Sequence, residues 1–90
     1  MIDQVLIPCN LAAGMFPTEA LVRIRDVHGA SFTMFADRSV IVERDQSCFI
    51  RATRLGTDPE TGVSVCLLPD ELSENGSPWI RVFSAMLKAG

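Results

Sequence analysis

The chain has no tyrosine, one tryptophan, one histidine and one lysine among its eight basic residues. These scarcities narrow its chemistry. General acid–base or nucleophilic catalysis needs a reactive group held beside one that tunes it. The lone His28 sits in Val27-His28-Gly29-Ala30, which reads as an exposed turn, and no Gly-x-Ser-x-Gly or other nucleophile motif is present. The chain therefore reads as a non-enzyme. No glycine-rich loop precedes a helix, and the stretch from Gly56 to Gly62 carries Asp58 and Glu60, which repel phosphate. Those two acids lack the spacing of a calcium loop. No cofactor is expected.

Cysteine is also sparse. Cys9, Cys48 and Cys66 are an odd set with no two near one another in sequence, so no local disulfide is written into the chain. Structural zinc sites draw ligands from local pairs two to four residues apart. The set Cys9, His28, Cys48 and Cys66 is spaced by 19, 20 and 18 residues, so no metal is expected. Cys48 and Cys66 lie in strand-like apolar runs, where cysteine acts as a small buried hydrophobe. An odd, unpaired count favours a reducing compartment. A secretory signal is not legible either: Asp3 is the only early charge, and Pro8, Asn10 and Gly14 interrupt the apolar start. No window approaches the ~18 apolar residues of a membrane-spanning helix. The expectation is a soluble, cytoplasmic protein without a membrane partner.

What is present suits one small domain over residues 1–90. Of its residues 48% are hydrophobic, too many for a disordered tail. The net charge is −3 and unevenly spread. Residues 21–56 hold six arginines against four acids, while residues 57–78 hold five acids and no base.

Most runs alternate with period two, the signature of half-buried strands. From Glu19 to Arg25, Ala20, Val22 and Ile24 alternate with Leu21, Arg23 and Arg25. Ser31 to Ala36 resumes after the Gly29 turn. Asp37-Arg38-Ser39 interrupts it, Val40 to Glu43 is a short β-branched run, and Arg44-Asp45-Gln46 closes that run. From Ser47 to Leu55, Cys48, Ile50 and Ala52 lie opposite Phe49, Arg51 and Thr53. Gly56 to Gly62, with Asp58-Pro59, is the strongest turn signal. Val63 to Leu68 has two apolar faces and is expected to be a central strand covered on both sides. Pro69-Asp70-Glu71-Leu72 suits one helical turn, Asn75-Gly76 another turn, and Trp79 to Phe83 a last strand. Ser84 to Ala89 is the one stretch that could form an amphipathic helix. Residues 1–18 resist assignment beyond a candidate strand at Ile2 to Ile7 and a helical turn or loop at Ala12 to Phe16. The sum is an all-β fold: a small antiparallel, five- to six-stranded, partly open barrel of SH3-like or OB-like shape, with room for one short helical turn.

For function, strand parity gathers Arg23, Arg25, Phe49 and Arg51 on one sheet face, expected to be exposed. Arginine is enriched and lysine depleted at protein interfaces. This supports a non-catalytic protein-binding or self-assembly module, a homodimer being one form of it. The alternative is single-stranded nucleic acid on the same arginine and aromatic face, against which the acidic balance counts. A small enzyme or a metal site ranks behind both. Trp79, after Pro78 at a strand start, is either a core plug or an interface anchor, the core weighing more because a lone tryptophan in a small domain is usually buried.

Overall fold

The structure, a computed structural model, describes residues 3–13, 17–69 and 79–90. Eight strands form one antiparallel sheet: β1 (Asp3–Ala13), β2 (Glu19–Arg25), β3 (Ser31–Asp37), β4 (Ile41–Arg44), β5 (Ser47–Asp58), β6 (Val63–Leu67), β7 (Trp79–Phe83) and β8 (Lys88–Ala89). The main path runs β3-β2-β1-β5-β6-β7, with β4 added to β5 and β8 to β1. The sheet curls into a half-barrel, so the expected all-β, partly open barrel holds. The main path has six strands, within the expected five to six, with β4 and β8 as short additions to it, and two strands are each shared between two sets of neighbours. β1 pairs with β5 through Asp3–Cys9 and with β2 through Asn10–Ala13. β5 pairs with β4 through Ser47–Ile50 and with β6 from Thr53 onward. Changing partners partway along a strand is how a short chain bends a sheet around one core.

The core is set by parity. Val5 and Ile7 of β1, Val22 and Ile24 of β2, Met34 of β3, Ile50 of β5, Cys66 of β6, and Ile80 and Val82 of β7 join one buried cluster. Each of the larger aliphatic side chains contributes about 1.5–3 kcal/mol by leaving water. Ser64, buried beside them, is satisfied in a chain of hydroxyls: its Oγ lies 2.8 Å from Thr57 Oγ1 and 2.6 Å from Ser84 Oγ.

Turns account for the connections. At 26–30, Asp26 Oδ1 accepts from the amides of His28 (2.8 Å) and Ala30 (2.9 Å), and Gly29 adopts φ +80°. The Val27 amide then donates to the Arg81 carbonyl at 2.9 Å, so this turn closes the barrel on the edge of β7. Asp45 and Gln46, both at positive φ, make the two-residue hairpin between β4 and β5. Asp37 caps a 3₁₀ turn at Arg38–Val40 by accepting from the Ser39 amide, which holds its carboxyl below the usual range.

Several expectations are corrected. Ser84 to Ala89 is not a helix: Ser84–Met86 is a 3₁₀ turn, and Lys88–Ala89 forms β8 against β1. A strand finds an edge of β1 available here: Lys88 and Ala89 pair with Leu6 and Val5, a stretch of β1 that is not paired with β2. The turn expected from Gly56 begins only after Asp58, because a bulge between Arg54 and Gly56 lets β5 run on. The unassigned start is mostly β1. Gly14 to Phe16, Asp70 to Leu72 and Asn75-Gly76 lie outside the described residues. Among the described residues no helix is long and apolar enough to cross a membrane, which says nothing of β-barrel membrane proteins.

Candidate functional site

The outer side of β6 and β7 follows from the same alternation that builds the core. Ser64 and Cys66 of β6 and Ile80 and Val82 of β7 point inward and are buried, which turns Val63, Val65, Leu67, Trp79, Arg81 and Phe83 outward. Register places these as cross-strand neighbours: Leu67 beside Trp79, Val65 beside Arg81, Val63 beside Phe83. β5 extends the rows with Thr53 next to Leu67, Gly56 next to Val65 and Asp58 next to Val63. The result is a grid of three strands by three rows, apolar except for Arg81 at the middle of one edge and Thr53 and Asp58 at two corners.

Trp79 and Phe83 are 49% and 45% exposed. Two corrections follow. Trp79 is not a core residue, because β7 has Ile80 and Val82 for that side and the indole takes the opposite parity. The strand β6 is central, between β5 and β7, but it is not covered on both sides: Val63, Val65 and Leu67 are only half-buried.

The grid lies on the floor of a groove. One wall is the 26–30 turn, held at β7 by the Val27–Arg81 hydrogen bond. The other is the tip of the β5–β6 hairpin, where the Glu60 amide donates to Asp58 Oδ1 and the Gly62 amide to the Asp58 carbonyl, both at 2.9 Å. Two open clefts flank His28: about 410 Å³ toward Phe32 and Trp79, and about 550 Å³ toward Gly56, Asp58 and Thr61. The larger exists because the bulge sets Gly56 in the middle row. A Cβ there would meet nothing within 4 Å, so the glycine leaves a notch beside Val65 and Arg81.

His28 therefore lines a groove rather than standing alone on a turn. Asp26, the carboxylate nearest in sequence, spends Oδ1 on backbone amides. Neither cleft is lined by a cysteine. The arrangement offers apolar surface with one cation and hydrogen-bonding rims, which suits recognition by burial.

The face expected from parity is placed differently. Arg23 and Arg25 are exposed on β2, and Arg51 is exposed on β5. All lie on the outer side, but on opposite edges of β1: Arg51 is opposite Leu6, and Arg23 is opposite Asn10. Four residues of strand separate those rows, about 14 Å, so the arginines are spread rather than gathered. Phe49 is corrected outright. It is 3% exposed, lying under Lys88, whose Nζ is 5.8 Å from the ring centroid. The aromatic on which nucleic-acid stacking by this face would depend is thus buried.

The cysteines occupy two places. Cys66 is fully buried in the core, and burial pushes its thiol up. Cys9 and Cys48, far apart in sequence, are direct partners in the β1–β5 register and only half-buried. Among the described residues no three or more His, Cys, Asp or Glu side chains gather to hold a metal ion. Sequence reasoning missed the β6–β7 face because it counted arginines. The signal available was that Val63–Leu67 and Trp79–Phe83 remain apolar at outward positions once the inward ones are assigned. Compared with protein-family models, curated proteins and solved structures, the chain matches none.

Proposed function

We propose that the chain is a non-catalytic self-assembly module in which the outer β6–β7 face packs against the same face of a second copy. The observation that carries this reading is the half-exposed pair Trp79 and Phe83 in register with Val63 and Leu67, an apolar stripe with a cation at its edge. Aromatic and arginine residues at the centre of an apolar patch are the usual anchors of an interface.

Charge selects the occupant. In an isologous pair, a residue meets the partner's copy of whatever lies across the two-fold axis. An axis in the plane of the face, midway between Arg81 and Asp58, sets each Arg81 opposite the other copy's Asp58, with Glu60 nearby on the hairpin tip. The patch is self-complementary in that arrangement.

Size fixes how much of the groove takes part. Five residues of three strands cover about 17 Å by 14 Å, roughly 240 Å², against about 800 Å² per partner in a standard interface. The stripe is the interface centre, and the 26–30 turn and the 59–62 tip supply its rim.

The test is molar mass by light scattering after size exclusion, across a wide range of protein concentration. Wild type is expected to dimerise, while Trp79→Ser with Phe83→Ser, and separately Gly56→Val, are expected to stay monomeric. Gly56→Val adds bulk at a position without positive φ where a Cβ meets nothing within 4 Å, so its thermal unfolding should match wild type. A monomer at every concentration, or a dimer that survives both variants, overturns the proposal. So does oligonucleotide binding that falls steeply with salt, the mark of phosphate contacts.

A further inference from the structure

Independently of the β6–β7 face, we propose that Cys9 and Cys48 form a reversible dithiol–disulfide site that staples β1 to β5 in response to small-molecule disulfides. Directly opposed residues of an antiparallel pair have side chains on the same side of the sheet. Their Cα atoms are about 4.5–5.5 Å apart, inside the range a disulfide spans without backbone movement. Both cysteines have the parity of the core side, Cys9 in line with Val5 and Ile7, and Cys48 in line with Ile50 and Ala52. Neither is sealed: both are only half-buried, whereas Cys66 is buried.

The pair also stands at a seam. Cys9 is the last β1 residue in register with β5, and Asn10 is the first in register with β2. A bond at this point fixes the place where β1 leaves one set of partners for the other, and closes the loop holding β2, β3 and β4.

The chemistry balances with a low-molecular-weight disulfide, such as oxidised glutathione, as oxidant. The Cys48 thiolate attacks one sulfur, forming a mixed disulfide and expelling one small thiolate. The Cys9 thiolate then attacks Cys48 Sγ, forming the Cys9–Cys48 bond and expelling the second. Two electrons pass from the cysteine pair to the oxidant, and the two cysteine protons leave on the two small thiols. Cys9 is the resolving thiol because burial, and then the neighbouring Cys48, push it up to about 12. The charged group that register sets beside the pair is Glu43, opposite Cys48 on β4. Because a thiolate does the work at each step, closure should run faster as pH rises.

The test treats the full wild-type chain with excess oxidised glutathione, then denatures, alkylates and weighs it. The reduced chain should take three alkyl groups. The oxidised chain should take one, on Cys66, with the mass of two hydrogens lost and the bridge mapped to Cys9 and Cys48. Cys66→Ser should close as wild type does, while Cys9→Ser should stop at a mixed disulfide on Cys48. The oxidised chain should melt several degrees higher, reversed by a dithiol reductant. Three alkyl groups after oxidation, a lasting mixed disulfide in wild type, a bridge through Cys66, or chains linked to one another would each overturn the proposal.

Discussion

On the outer side of β1 and β5, Leu6 and Phe49 are 0% and 3% exposed, whereas on the outer side of β6 and β7 Trp79 and Phe83 remain 49% and 45% exposed. Both surfaces arise from the same alternation, with large apolar residues at outward positions. They differ in what the chain lays over them. The C-terminal residues return to β1, where Lys88 pairs with Leu6 and holds its ammonium over the Phe49 ring, and the Gly90 amide donates to the Gln4 carbonyl at 3.3 Å. On β6 and β7 the outward Trp79 and Phe83 stay half-exposed. An outward aromatic is thus sealed in one region and half-exposed in the other, and local sequence does not distinguish them.

The largest expected effect tests this difference directly. Phe49→Ala removes a fully packed ring and should cost about 3–5 kcal/mol of unfolding free energy. Phe83→Ala, the same change on the exposed face, should cost about 0.5 kcal/mol or less. Chemical denaturation of both variants, at concentrations low enough to keep the chain monomeric, makes the comparison. Equal losses would mean that the two faces are covered alike.

A smaller effect asks what does the covering. The Lys88 ammonium stands over the Phe49 ring, 5.8 Å from its centroid. Lys88→Ala should lose about 0.5–1 kcal/mol, the size of a half-exposed cation–ring contact. That loss should nearly vanish in a Phe49→Ala background, because the two residues form one contact. If the two losses simply add, something other than Lys88 shields the ring.

The contrast also shows how far sequence reaches. Period-two alternation found Glu19–Arg25, Ser31–Ala36, Ser47–Leu55, Val63–Leu68 and Trp79–Phe83, and the inward residues Cys48, Ile50 and Ala52, because parity is a local property of a strand. It weighed core above interface anchor for Trp79 because a lone tryptophan in a small domain is usually buried, although Ile80 and Val82 already filled the inward positions. It gave Phe49 to an exposed face because nothing near residue 49 shows that residues 88–90 return to cover it. Cys9 and Cys48 looked unrelated for the same reason: their pairing is fixed by the register of β1 on β5, a contact between distant segments. The partner changes along β1 and β5 were also hidden, since a shared strand carries the same alternation as two separate ones.

The smallest effect is silent at neutral pH and uses Cys9, on the core side of the same β1–β5 pair, to read how well that side excludes water. Burial raises its thiol from an ordinary 9.0 to about 12 in the folded chain, with Cys48 adding to the rise. Below 9.0 the folded and unfolded chains both keep the proton, so the thiol does not make stability depend on pH. Above it the unfolded chain releases a proton that the folded chain retains, and stability falls as pH climbs toward about 12. Cys66, raised by burial as well, pulls the same way. Cys9→Ala should therefore show a shallower alkaline decline than wild type while keeping the Cys66 share, measured as unfolding midpoints under reducing conditions from neutral to alkaline pH. Parallel declines would mean that water reaches Cys9 freely and that the seam between β5 and β2 is looser than the burial of Ile7 and Ile50 implies.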